Sequence, residues 1–91
     1  MASYLITYDL SKPGQNYSDI INIIKSFNAW ARLSESSYAV TSNLVPYQIY
    51  QKFEPHLDQN DQLYVIGLHQ PWAGYGDKEV NQWLDNNLQT C

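Results

Sequence analysis

Cysteine and histidine are scarce in this sequence, which has one Cys and two His among 91 residues. Because Cys91 is the sole cysteine, no disulfide can form within the chain, and this favours a reducing compartment such as the cytoplasm. One Cys and two His are also too few for a structural zinc site, which usually takes four Cys or His ligands.

Basic residues are few as well. The chain has five Lys or Arg against nine Asp or Glu, for a formal net charge of −4. This balance argues against a broad basic surface for duplex DNA, which needs clustered cations. A role on nucleic acid would require a local basic patch or a bound cation that offsets the repulsion.

Long apolar runs are absent from the sequence. No segment approaches the roughly 18–20 apolar residues that span a bilayer, so no membrane association is expected. Met1-Ala2-Ser3 leads directly into a predicted strand without a basic region, so no signal peptide is expected. The length and a hydrophobic share of 44% suit one globular domain over residues 1–91. A domain this small has a small core, and dimerisation would help it.

The first half of the chain predicts a strand, a helix and a hairpin. Tyr4–Asp9 is rich in aromatic and β-branched residues, and a turn follows at Lys12-Pro13-Gly14. Isoleucines at helical spacing after Ser18 predict an amphipathic helix, which Asn16 or Ser18 could cap. Ala29–Leu33 and Ser37–Thr41 then read as a hairpin.

The second half of the chain predicts a helix, a strand and a further helix. Asn43 could cap a helix with Pro46 in its first turn and a buried stripe of Val45, Ile49, Phe53 and Leu57. Pro55 should end or kink that helix. Leu63–Leu68 reads as a buried strand, and Asp77 could cap the last helix.

This order of elements predicts an α+β fold, a ferredoxin-like βαββαβ sandwich with an extra C-terminal helix. Its four-stranded antiparallel sheet would carry two helices on one face. The other face would be left bare, so this chain, with eight Tyr and three Trp, could pair with a copy of itself.

Asp9 is the candidate catalytic and metal-binding residue, because it stands where the first strand gives way to a loop. One carboxylate is too weak to hold Mg²⁺, which takes several oxygen ligands, but two copies of Asp9 across a twofold axis could do so. Such an ion would offset phosphate charge and activate water. In the structural alternative, Asp9 ends the strand and receives backbone donors from the turn at Gly14.

Other polar residues should gather at the same end of the sheet. Ser36 and Ser37 in the hairpin could bond phosphate oxygens or simply close the turn, and Glu35 could be a second metal ligand. His56 could act as an acid or base, or it could cap a helix end. Trp72 and Tyr75, at the opposite end, could stack on a nucleobase or pack against the bare face or a partner.

Several segments resemble one group of small bacterial proteins. The motifs are Tyr8-Asp9-Leu10-x-Lys12-Pro13-Gly14 with Asn16-Tyr17, Ser36-Ser37-Tyr38-x-Val40, Pro55-His56-Leu57-Asp58, and Trp72-Ala73-Gly74. On these the chain resembles the SinR-like proteins and, more broadly, the superfamily of the small CRISPR adaptation nucleases and VapD-type toxins.

The resemblance implies a ferredoxin-like homodimer. In the nuclease branch the acid that ends the first strand, here Asp9, binds the metal, and its twofold mate completes the site. Ser36 or Ser37 would take the polar position at the start of the third strand. The sequence thus supports two hypotheses: an Mg²⁺-dependent phosphodiesterase or endoribonuclease acting on RNA or a nucleotide, and a non-catalytic dimeric module that binds a protein partner in a toxin–antitoxin, defence-associated or phage-encoded setting.

Overall fold

A computed structural model describes residues 1–11 and 17–90 of the chain. The predicted turn at Lys12-Pro13-Gly14 and the possible cap Asn16 lie outside the described residues. The elements, in chain order, are β1 (Ala2–Asp9), α1 (Tyr17–Lys25), β2 (Ala29–Ser34), β3 (Ser37–Ser42), α2 (Pro46–Phe53), a 3₁₀ turn (Glu54–His56), β4 (Gln62–Leu68) and α3 (Lys78–Asn87).

The strands form one antiparallel sheet in the order β2-β3-β1-β4. β1 lies between β3 and β4, and its alternating residues therefore pack on both faces of the sheet. The hairpin that joins β2 to β3 contains a register shift between Arg32 and Ser34. The α+β class and the antiparallel sheet agree with the sequence-based prediction.

One face of the sheet, here called the inner face, packs against α1 and α2. Ile6, Ile20, Ile24, Ile49 and Phe53 are fully buried in this core. The isoleucines of α1 and the i, i+4 pair of α2 supply the apolar stripes that cover the strands. The main core therefore lies where the sequence predicted it.

The opposite, outer face is partly covered by α3, so the expectation that it is bare is wrong. Leu84 and Leu88 of α3 form a second buried cluster with Ala39 of β3, and Trp72 packs against it. The Ser3 hydroxyl also donates a 2.9 Å hydrogen bond to the carbonyl of Asn87, at the end of α3. Small residues on β3 leave room for the helix to approach the sheet.

The start of α2 differs from the prediction. Ser42 Oγ accepts the N–H of Leu44 at 3.0 Å, and Val45 rather than Asn43 is the N-cap. Gln48 Oε1 accepts the Val45 N–H at 3.1 Å. Val45 is therefore exposed and lies outside the buried stripe. At the other end α2 stops at Phe53, before Pro55, as predicted.

Ser18 also differs from its predicted role, because it lies inside α1 and does not cap it. In β4, the prediction of a buried strand is wrong for Tyr64 and Ile66. These side chains point to the outer face beyond α3 and are 59% and 49% exposed. None of the helices formed by residues 1–11 and 17–90 has the length and apolar character needed to cross a membrane.

Candidate functional site

Asp9 is the last residue of β1 and is exposed. Ile6, Tyr8 and Leu10 belong to the inner core, so strand alternation places Thr7 and Asp9 on the outer face. Asp9 pairs with Gln62, the first residue of β4. The candidate metal ligand therefore stands at one end of the sheet with its carboxylate on the face opposite α1 and α2.

The hairpin between β2 and β3 is bound to the same end of β1. The main-chain N–H of Tyr8 donates to the carbonyl of Ser36 at 3.0 Å, and the Tyr8 hydroxyl donates to the carbonyl of Glu35 at 3.3 Å. Burial is the main reason that the pKa of Tyr8 is raised to about 12, and nearby tyrosines add to it. This phenol therefore stays neutral and fixes the hairpin against the strand that carries Asp9.

Ser37 lies directly across from Thr7 on the outer face. The Thr7 and Ser37 hydroxyls share a 3.0 Å hydrogen bond, so part of the Ser37 bonding capacity is already used within the sheet. Ser36 is half-buried next to it. The fold thus brings Asp9, Ser36 and Ser37 to one end of the sheet, in agreement with their predicted clustering.

His56 occupies a different layer. It ends the 3₁₀ turn after α2, and its Nδ1 lies 3.6 Å from Oδ2 of Asp19 in the first turn of α1. The contact ties the 3₁₀ turn to α1. Since these helical segments lie on the inner side of the sheet, His56 is placed with them and not on the outer face with Asp9.

Asp61 has a structural role that the sequence did not reveal. Its Oδ1 accepts the N–H and the hydroxyl of Ser11 at 2.7 and 3.0 Å, and its Oδ2 accepts the N–H of Asp58 at 2.8 Å. The backbone donors of Asp58 and Ser11 are the main cause of a lowered pKa for Asp61. Both carboxylate oxygens are thus occupied by the joint between β1 and β4.

The acidic groups of the described residues do not converge into a three-ligand metal site. Among residues 1–11 and 17–90, no three His, Cys, Asp or Glu side chains stand close enough to hold an ion together. Glu35, the suggested second ligand, is exposed in the hairpin turn, where its carbonyl binds Tyr8.

Beyond α3, the outer face leaves a surface that we call the open half. It consists of Thr7, Asp9, Ser37, Gln62, Tyr64 and Ile66. The exposed Tyr64 and Ile66 are large apolar side chains, and no lysine or arginine belongs to this set. Such a surface suits contact with another protein or with a second copy better than direct contact with phosphates.

A groove lies between α3 and the segment 71–77, which crosses the outer face. Its volume is about 320 Å³, and its walls include Leu33, Leu68, Trp72 and Leu84. Trp72 is half-buried there, and its indole N–H donates to Asp85 Oδ1 at 3.0 Å. The structure therefore supports the packing alternative for Trp72, whereas Tyr75 is fully exposed.

No protein-family model matches the chain, and no solved structure matches it significantly.

Proposed function

We propose that this chain is a ferredoxin-like homodimer that acts as a divalent-metal-dependent phosphodiesterase on RNA or a nucleotide, with Asp9 of each subunit as a metal ligand. The strand order β2-β3-β1-β4, with a helix between β1 and β2 and another between β3 and β4, supports the fold assignment. The similarity of the motif around Asp9 to SinR-like proteins and the CRISPR adaptation nucleases supports the reaction class.

The position of Asp9 carries this proposal. An exposed carboxylate at the end of a central strand shares the open half with apolar Tyr64 and Ile66. If two copies associate through this surface, burial of those apolar side chains stabilises the dimer. The twofold axis would then bring the two Asp9 carboxylates together.

Two carboxylates, water and substrate phosphate oxygens would together supply the oxygen ligands that Mg²⁺ prefers. The bound ion would supply charge neutralisation and a more acidic water. The hydroxyls of Ser36 and Ser37 would bond substrate phosphate oxygens at the edge of this site. His56 takes no part in it, because that side chain lies with Asp19 in the inner layer. We place the reaction in the cytoplasm, where the single cysteine stays reduced.

The decisive experiment compares wild type with Asp9→Asn. We expect wild type to cleave RNA in Mg²⁺ and its amide resonances near Asp9 to shift on Mg²⁺ titration. Asp9→Asn should lose both effects and keep the wild-type oligomeric state by light scattering, because it removes a charge without changing side-chain size. Glu54→Gln, which neutralises an exposed acid in the 3₁₀ turn, is the matched control and should behave as wild type. Equal cleavage by the Asp9→Asn protein would reject the proposal.

The second candidate function is a non-catalytic dimeric module that binds a protein partner, in a toxin–antitoxin, defence-associated or phage-encoded setting. The apolar, lysine- and arginine-free character of the open half favours this alternative. A stoichiometric protein captured by wild type and lost with Tyr64→Asp would support it. Metal-dependent cleavage without any such partner would exclude it.

A further inference from the structure

β4 is an edge strand, and in the described part of the chain no strand pairs with the edge of β4 that points away from β1. The sheet order ends at β4, which pairs with β1 alone, over seven consecutive residue pairs from Gln62 to Leu68. An edge strand presents a row of N–H and C=O groups that can template the pairing of another strand.

The hydrogen-bond pattern identifies which of these groups face outward. The N–H of Tyr8 donates to the carbonyl of Ser36, the residue just before β3, so the backbone groups of Tyr8 and Ile6 face β3 and those of Thr7 and Leu5 face β4. Thr7 and Leu5 pair with Tyr64 and Ile66, and the backbone groups of these two residues are therefore used by β1. The groups of Leu63, Val65 and Gly67 consequently face away from the sheet.

β4 has none of the usual features that protect an edge strand. The sequence Gln62–Leu68 contains no charged residue and no proline, and its register with β1 is uninterrupted. The other edge strand, β2, differs in two respects: it carries Arg32, and it has a register shift next to that residue. Proteins commonly protect free edges with charges, bulges and covering elements.

We propose that β4 pairs antiparallel with β4 of a second copy of this chain, about a twofold axis at Val65, to form a continuous eight-stranded sheet. In this register Val65 pairs with Val65 of the partner subunit and Leu63 with Gly67 of the partner subunit, so all three outward-facing residues make hydrogen bonds. A shift of the strands by two residues in either direction leaves one of the three without a β4 partner.

The side chains fit the same register. Tyr64 lies opposite Ile66 of the partner subunit in a non-hydrogen-bonded pair, where side chains approach most closely. An aromatic side chain opposite a β-branched one is among the favourable cross-strand pairs. Both residues are exposed in the single chain, and no like charges meet anywhere along the paired strands.

This interface goes beyond the proposed function, because its hydrogen bonds are made by the free edge of β4, and of the open half it uses only the side chains of Tyr64 and Ile66. In the eight-stranded sheet the two β1 strands are three strand spacings apart, about 14 Å. The two Asp9 carboxylates of an edge-paired dimer are therefore too distant to share an ion. A chain that uses both interfaces assembles into a species larger than a dimer.

Disulfide trapping tests the register directly in a Cys91→Ser background. Paired Val65 residues have Cα atoms about 5.5 Å apart, within the range for a disulfide. Copies of Tyr64 are diagonal neighbours about 7–8 Å apart, as are copies of Ile66, which is beyond that range. We expect Val65→Cys to give a covalent dimer under mild oxidation, and the matched variants Tyr64→Cys and Ile66→Cys to remain monomeric on a non-reducing gel. Cross-linking at position 64 or 66 instead of 65, or none at 65, would overturn the proposal.

A second variant tests the hydrogen bonds without a cross-link. Val65→Pro removes an outward-facing N–H and leaves the ladder between β1 and β4 intact, because Val65 does not bond to β1. We expect this variant to keep its fold by circular dichroism and to lose the edge-paired species by light scattering. Unchanged assembly would contradict the inference. Asp9→Asn should leave the Val65→Cys cross-link unaffected, so failure of the metal site and failure of this interface give different results.

Discussion

The carboxylate of Asp61 binds Ser11: its Oδ1 accepts the Ser11 N–H at 2.7 Å and the Ser11 hydroxyl at 3.0 Å. This contact links the residue just before β4 to the residues that follow β1. Asp61 lies immediately before β4, and Ser11 lies two residues after β1 ends. The bond therefore holds the end of the central strand in place next to Asp9. Asp61 thus helps to fix the position of the end of β1, where the candidate ligand Asp9 lies.

Asp61→Ala should destabilise the protein more at neutral pH than in acid. The folded pKa of Asp61 is lowered by the backbone donors of Asp58 and Ser11, so its contribution is present above the unfolded value of 3.8 and is lost as pH falls through the lower folded value. Urea unfolding at pH 7 and at pH 3 measures the difference. Asp58→Ala is the control, because Asp58 contributes main-chain groups to this joint: its N–H donates to Asp61 Oδ2, and its carbonyl accepts the N–H of Asp61. An equal loss of stability for Asp61→Ala at both pH values would contradict this account.

Burial should delay the ionisation of Tyr8 in the folded protein, because it raises the pKa of this phenol. Its folded pKa of about 12 exceeds the ordinary value of 10.0, so the folded state keeps a proton that the unfolded state releases between these values. Stability from this source is complete below pH 10 and falls as the pH rises from 10 to 12. We expect Tyr8→Phe to remove the late step in tyrosinate absorbance and to shift alkaline unfolding to higher pH. The exposed Tyr47→Phe should change neither.

The inner core was predictable because it depends on short-range patterns. Isoleucines at helical spacing fixed the buried face of α1, and the spacing of Ile49 and Phe53 did the same for α2. The end of β1 at Asp9 followed from the turn residues that come after it.

The outer face was not predictable in the same way, because α3 could have packed on the sheet or projected into solvent. Its apolar side, Leu84 and Leu88, indicated a buried contact but not the surface that it covers. Likewise, an apolar run such as Leu63–Leu68 does not distinguish a central strand from an edge strand. Tyr64 and Ile66 are exposed because α3 does not extend over them, and the position of α3 on the sheet depends on tertiary packing.

Phe53→Ala should destabilise the domain by about 3–5 kcal/mol, because removal of a fully buried ring costs both transfer free energy and a cavity. This is a large part of the stability of about 5–15 kcal/mol that is typical of small domains. Tyr47→Ala is the matched control in the same helix. Its side chain is 65% exposed, so we expect a change within about 0.5 kcal/mol. Chemical denaturation of both variants measures the contrast, and similar losses would show that Phe53 is not in the core.

Leu84→Ala should lower the unfolding free energy by about 2–5 kcal/mol, since Leu84 is buried against Ala39 on the outer face. Gln82→Ala, at an exposed position of the same helix, should have little effect and controls for helix propensity. The measurement is urea unfolding in a Trp30→Phe background, which leaves Trp72 beside α3 and Trp83 within it as the fluorescent reporters. Far-ultraviolet circular dichroism of the same samples reports on the whole fold. In wild type the two transitions should coincide, because α3 is joined to the sheet by the Ser3–Asn87 bond as well as by the apolar cluster. An earlier fluorescence transition in wild type would mean that α3 separates from the sheet before the inner core unfolds. A loss of unfolding free energy in Leu84→Ala no larger than that in Gln82→Ala would mean that the helix does not pack on Ala39.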